Sequence, residues 1–254
     1  MRLHRFYISE QMNGGARLGA SADISIDSAE LANQIRRVFR LTNGDHVILF
    51  DGSGFDFTCE IIGDKSGKNI LNFHIISTER SRYMPVRDVY LCAAITKKDT
   101  FEWIVEKATE LGVTHIIPVL AERSEKKALN MERLNKIAVE ASEQSGRGSV
   151  PEILAIMELE DAIGKVRDAG IDDGVNDDAN IIAFHTEGEL LAGNDLAGVA
   201  KSGIALFIGP EGGWSESEVA TFHKEKIAIK CLGSQVLRAE TAVIVALSKV
   251  MFPN

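Results

Sequence analysis

Two short stretches near the end of the chain hold residue types suited to binding chemistry: residues 204–214, IALFIGPEGGW, and residues 232–242, LGSQVLRAETA. The first reads as a buried apolar strand running into a turn with glycines at 209, 212 and 213. Glycine carries no Cβ, so a ligand can approach the bare backbone of such a turn. Directly after it, Ser215, Glu216, Ser217 and Glu218 have capping-box spacing, with Trp214 placed to staple the helix entrance. The second stretch repeats the arrangement, with a strand over 227–232, a turn at Gly233 and Ser234, and a helix from about Glu240. Two strand–glycine turn–helix units side by side predict a ligand cleft at the carboxyl ends of parallel strands.

The turn chemistry argues against a nucleoside triphosphate. GPEGGW lacks the Lys-Ser/Thr pair that a phosphate-cradling loop needs, Glu211 would repel phosphate, and the pattern is not GxGxxG. A turn of glycine, proline and backbone groups suits a neutral or cationic small ligand, such as a nucleoside or a sulfonium. The plainer alternative is a tight connection that binds nothing, although such connections rarely need three glycines in five positions.

The elements that must position these turns fall into two rhythms. Residues 1–80 look like a small β-rich module, with strands over 3–8, 46–50, 55–62 and 69–77. A helix over 28–39 follows a Ser28 cap, and Asp51-Gly52-Ser53-Gly54 signals a hairpin. The polar segment 80–85 is the domain boundary. From Val86 onward, strands over 89–95, 115–119, 152–156 and 181–185 alternate with helices over 100–111, 131–145 and 159–169, the first closed by Gly112. This alternation predicts an α/β domain over 86–254 with a parallel sheet covered on both faces.

With 254 residues and 45% hydrophobic content, the chain can bury a full core in one large or two modest domains. It has no apolar run near eighteen residues and no signal-peptide pattern, so no membrane partner and a cytoplasmic location are expected. Cys59, Cys92 and Cys231 are odd in number and form no CxxC, which points to reduced thiols and no metal. Between residues 155 and 195, eleven acids face two bases, which accounts for the whole net charge of −9. The rest is balanced, with basic clusters at Arg36, Arg37 and Arg40, at Arg80 and Arg82, and at Lys126 and Lys127, so an RNA-facing side is compatible with the charge. The acidic loop 170–179 receives no function.

Taken in order, these motifs resemble the RsmE family of the SPOUT superfamily, methyltransferases of 16S rRNA that use S-adenosylmethionine. The resemblance covers nearly the whole length. Besides GPEGG and LRAETA, it rests on Arg5-Phe6-Tyr7, the RRVFR of residues 36–40, the turns Gly44-Asp45 and Asp51-Gly52, and EKATELGV at 106–113. Glu122-Arg123-Ser124 and EASEQSGR at 140–147 complete it. Two departures stand out: Phe39 replaces a usual leucine, and Thr100 replaces a basic residue common after Lys97, which weakens any RNA contact there.

The resemblance implies a PUA-like β-barrel over 1–80 that holds RNA. It also implies a knotted parallel-sheet methyltransferase domain over 86–254, whose trefoil knot ordinary topology rules would not anticipate. It further implies a homodimer that methylates N3 of one uridine in the small ribosomal subunit. Cofactor contacts are then expected from Ile208, Gly209, Pro210, Glu211, Gly212 and Gly213 on one turn and from Leu232, Gly233, Val236 and Leu237 on the other. Phe184, His185 and Thr186 would form a third wall.

Uridine N3 keeps its proton to a pKa of about 9, so at neutral pH the site must supply roughly 3 kcal/mol toward the anion. Arg238, projecting from a cofactor turn, is the first candidate to stabilise it, followed by Arg123 and Arg147. Glu240 is a candidate proton acceptor, or else a carboxylate serving the helix dipole. Arg5, Arg37 and Arg40 are candidates for RNA contact. Two alternatives remain: a doubly wound dehydrogenase, for which GxGxxG and an acidic ribose-binding residue are missing, and a non-catalytic RNA-binding assembly protein, against which the intact LGxxVLRAET argues.

Overall fold

The computed structural model describes residues 3–12, 22–63, 69–124, 128–171, 180–192 and 203–252. Lys126, Lys127 and most of the acidic loop 170–179 lie outside this set. The chain divides into two compact units, one of Met1–Met84 with Ser142–Val150 and one of Pro85–Ala141 with Pro151–Asn254.

The first unit holds a five-stranded sheet in the order β1 (His4–Tyr7), β3 (His46–Phe50), β4 (Phe55–Ile62), β5 (Ile70–Arg80), β2 (Ala22–Asp27). β1 runs parallel to β3, and the other neighbours are antiparallel. The hairpin expected at residues 51–54 joins β3 to β4. Sequence reading had no strand at β2, where only Ile24 and Ile26 carry an apolar face between Asp23, Ser25 and Asp27. Two apolar side chains are a short signal, and aspartate disfavours strands. α1 (Ala29–Asn33) starts where expected, with the Ser28 hydroxyl accepting from the Leu31 N–H. It then widens into a π turn over Gln34–Val38, with the Phe39 N–H bonded to the Gln34 carbonyl. Phe6, Leu31, Ile35, Val47, Leu49, Phe57 and Phe73 fill the core between helix and sheet.

This unit is discontinuous in sequence, and the EASEQSGR motif shows why. Glu143 accepts the Tyr7 N–H at 2.9 Å and the Gln34 side-chain amide at 3.3 Å. The Arg147 carbonyl accepts from Arg5 at 3.0 Å, while Arg5 forks onto Asp56 at 2.6 and 2.8 Å. A Cβ on Gly148 would sit 2.3 Å from the Ser81 Cβ, so only glycine lets this segment lie flush.

The second unit holds a parallel sheet in the order β12 (Ala228–Cys231), β10 (Ile181–Leu190), β11 (Ile204–Ile208), β6 (Val89–Ala94), β7 (His115–Leu120), β8 (Glu152–Ile153), with β9 (Met157–Glu158) also on β7. Every residue of β6 and β11 is buried, as a parallel sheet covered on both faces requires. The helices are α2 (Lys98–Leu111), α3 (Met131–Ser145, of which residues 131–141 belong to this unit), α4 (Leu159–Asp168), α5 (Glu216–Lys224) and α6 (Ala239–Met251). Gly112 closes α2 in the left-handed conformation, φ 103°. Among the described residues, no helix is long and apolar enough to cross a membrane.

Candidate active site

Three chain segments meet at the carboxyl ends of β10, β11 and β12. β11 ends at Ile208, and the turn that follows is closed by the Gly213 N–H on the Pro210 carbonyl at 2.8 Å, with Gly213 at φ 68°. The chain then enters α5 through the expected capping box. The Ser215 hydroxyl accepts from the Glu218 N–H, and the Glu218 carboxylate accepts from the Ser215 N–H. Trp214 is buried edge-on against Phe222, ring centroids 5.2 Å apart. Gly209 makes room for it, since a Cβ there would lie 3.3 Å from both the Trp214 ring and its backbone nitrogen.

The two glycine-bearing strands are not neighbours, contrary to the side-by-side expectation: β10 runs between β11 and β12. β10 extends beyond the expected 181–185, and its register on β12 shifts between Phe184 and Glu189, both of which face Lys230. This bulge leaves His185, Thr186, Glu187 and Gly188 out of the ladder. Gly188 lies so close to β12 that a Cβ would sit 2.6 Å from the Lys230 carbonyl carbon. The bulge therefore becomes the middle wall between the two turns.

Together these segments enclose a cavity of about 380 Å³, within the range of small-molecule sites. Ile208, Gly209, Pro210, Glu211, Gly212 and Gly213 line one side of it. Leu232, Gly233, Val236 and Leu237 line another, and Phe184, His185 and Thr186 the third. Sequence reasoning missed Glu187, Trp214, Cys231, Gln235, Ala239 and Ala242 on the lining; Glu187 lies in the bulge, whose register has no signature in residue type. The Trp214 Nε1–H, in a side chain 2% exposed, finds no acceptor among the described residues.

The charged groups sort clearly. Glu187 and Glu211 bring carboxylates to the cavity. Arg123 also lines it, but its Nη1 donates to the carbonyls of Gly212 at 3.0 Å and Trp214 at 3.2 Å. Beside it, Glu122 accepts from the Ser217 hydroxyl at 3.0 Å, and the Ser215 and Ser217 hydroxyls hold its carboxyl below the usual glutamate range. Glu122 donates its N–H to Glu218 at 2.9 Å. Arg238 caps α6 between the lining residues Leu237 and Ala239, exposed, and forms no side-chain hydrogen bond or ion pair with any described residue. Glu240 occupies the first turn of α6.

Other expected site residues belong to the first unit. Arg147, expected at the reacting base, belongs to the first unit, where it is 4% exposed and burial lowers its guanidinium pKa to about 10. Arg5, expected to face RNA, has its side chain 7% exposed and paired to Asp56, because a strand residue beside the inserted segment 142–150 is enclosed. Arg37 and Arg40 are exposed, Arg40 in the left-handed region at φ 55°. Among the described residues, no group of His, Cys, Asp and Glu could hold a metal ion.

The thiols offer a direct check on the cavity. Burial pushes Cys59 up to about 12 and raises Cys92 further, whereas Cys231 is partly exposed on the cavity wall. A thiol-alkylating reagent is expected to modify Cys231 first in the folded protein, read by peptide mass spectrometry. A ligand held in the cavity should slow that reaction at least severalfold.

A family model described as an RNA methyltransferase domain matches residues 82–251, and one described as an RNA methyltransferase PUA domain matches residues 30–71. The ribosomal RNA small subunit methyltransferase E of Bacillus subtilis is 33% identical over 238 residues, which cover 89% of this chain and 88% of the relative. Its counterpart from Rickettsia conorii is 30% identical over 255 residues, covering 98% and 96%. The crystal structure of ribosomal RNA small subunit methyltransferase E from Neisseria gonorrhoeae, bound to S-adenosylmethionine, aligns with a TM-score of 0.80 at 25% identity, covering 97% of this chain and 96% of that one.

Proposed function

This chain belongs to the ribosomal RNA small subunit methyltransferase E family, and on that premise we propose that it transfers a methyl group from S-adenosylmethionine to N3 of a uridine in 16S rRNA. Its fold is a SPOUT-type parallel-sheet α/β unit with a PUA-like first unit. The observation that carries the reading is the convergence of both glycine turns and the β10 bulge on one cavity.

The cavity fits this cofactor. Backbone turns suit the adenosine, and Glu187 and Glu211 suit a cation rather than a phosphate. The buried Trp214 Nε1–H, with no acceptor among the described residues, offers a donor. When bound, S-adenosylmethionine supplies an electrophilic methyl carbon on a sulfonium. Transfer then needs chiefly an aligned nucleophile, so the protein's task is positioning and charge stabilisation.

Arg238 performs the charge stabilisation in this proposal. Its guanidinium, free of partners among the described residues, donates to a uracil carbonyl oxygen and stabilises the anion formed as N3 gives up its proton. Hydrogen bonds from a charged donor contribute about 1.5–3 kcal/mol each, so two would cover the roughly 3 kcal/mol required. We assign Glu240 to the first turn of α6, where a carboxylate complements the helix dipole. Arg5 and Arg147 anchor the first unit in this reading, leaving Arg37 and Arg40 as its RNA-facing cations.

A homodimer is supported by the apolar surface around α6, where Val236 is 82% exposed and Ile244 and Val245 are only partly buried. The trefoil knot is supported by the order β12-β10-β11, in which the last strand lies beside β10. Reduced thiols and an rRNA substrate support a cytoplasmic location. Mass spectrometry of 16S rRNA nucleosides tests the function: cells lacking this protein should lose 3-methyluridine, and an unchanged level would refute the assignment.

A further inference from the structure

We propose that Arg123 is a positioning residue that sets the shape of the 209–214 turn, and that it grips neither the substrate base nor the cofactor itself. The inference rests on reading the cavity as the S-adenosylmethionine site. The Gly212–Gly213 peptide lies between the two residues of the turn least able to hold a conformation, since neither has a side chain. Its orientation is pinned at both ends. The Gly212 carbonyl accepts from Arg123 Nη1 at 3.0 Å, and the Gly213 N–H donates to Pro210 at 2.8 Å. The same Nη1 reaches the Trp214 carbonyl at 3.2 Å, so one cation ties together two carbonyl oxygens two residues apart. A Cβ on Gly212 would come within 3.3 Å of the Arg123 Cβ, so the arginine stem also packs against the turn.

Arg123 is itself held in place. The neighbouring Glu122 N–H donates to Glu218 Oε1 at 2.9 Å, while Glu218 Oε2 accepts the Ser215 N–H at 2.7 Å. The Glu218 carboxylate, 8% exposed, thus caps α5 and fastens the strand-end loop that carries Arg123. Ser217 adds a bond to the Glu122 side chain at 3.0 Å. The loop after β7 and the turn after β11 form one braced unit, and both bonds that Arg123 Nη1 makes go to carbonyls of the turn.

Isothermal titration calorimetry on Arg123→Met and Arg123→Lys, with S-adenosylmethionine and with 5′-methylthioadenosine, tests the proposal. Methylthioadenosine keeps the adenosine and the methylthio group and lacks the sulfonium charge and the amino-acid end. Arg123→Met should weaken both ligands by a similar factor, at least about tenfold, with kcat at saturation within about threefold of the parent. Arg123→Lys, still able to bridge the carbonyls, should recover most of the affinity. In a Trp103→Phe background, Trp214 emission should shift in Arg123→Met before any ligand is added. Loss of S-adenosylmethionine binding alone would make Arg123 a direct ligand contact, and unchanged affinity with lost kcat would make it a catalytic residue. Either result overturns the proposal. If Arg123→Met does not melt cooperatively, Arg123→Gln decides by the same comparison. A parent protein that binds neither ligand removes the function proposed for the cavity, and this inference with it.

Discussion

Arg238→Ala is expected to lower methyl transfer to the small subunit by about 10²- to 10³-fold, the usual effect of removing one donor to a developing anion. Affinity for S-adenosylmethionine should stay within tenfold. The expectation comes from what Arg238 lacks. Arg123 is committed to two carbonyls and Arg147 is buried in the first unit, whereas Arg238 is exposed at the start of α6 with no partner among the described residues. The residues on either side, Leu237 and Ala239, line the cavity, so its Cα stands at the rim. Arg238→Lys should recover only part of the rate, because a point charge cannot fork onto a carbonyl as a guanidinium does. Turnover by Arg238→Ala at the parental rate would remove this residue from the chemistry.

Gly188→Ala is expected to destabilise the protein by about 3 kcal/mol and to impair cofactor binding, a larger loss than one methyl group normally causes. The new Cβ would meet the Lys230 carbonyl carbon at 2.6 Å and its Cα at 2.8 Å, and backbone cannot rotate aside as a side-chain tip can. β10 and β12 would have to separate where the bulge forms the cavity wall. Gly164→Ala, inside α4 with nothing within 4 Å of the added Cβ, is the control. It should stabilise by about 0.4–1 kcal/mol through helix propensity and a less flexible unfolded chain. Denaturant titrations of the two variants should move in opposite directions.

What could be read beforehand divides along physical lines. The glycine turns, the capping box at Ser215 and Glu218, the Gly112 stop and the continuous apolar strands are local signals, and each appears as expected. The thirteen positions named from the two turns and the 184–186 wall line one cavity. Strand order was not legible, because nothing in β11 or β12 announces that β10 lies between them. Pairing between distant segments likewise hid the fate of the arginines. Arg5 and Arg147 have the charge of RNA contacts but lie next to each other in the fold, one donating to the other's carbonyl. Charge can be read from composition; a cation's exposure depends on long-range packing.

The split first unit bears on how the nascent polypeptide acquires structure. Residues 1–84 leave the synthesis machinery well before Glu143 and Arg147, on which Tyr7 and Arg5 depend. Early strands must therefore wait, incompletely braced, until some 150 residues have been translated. An excised fragment ending at residue 84 would retain that immature condition permanently.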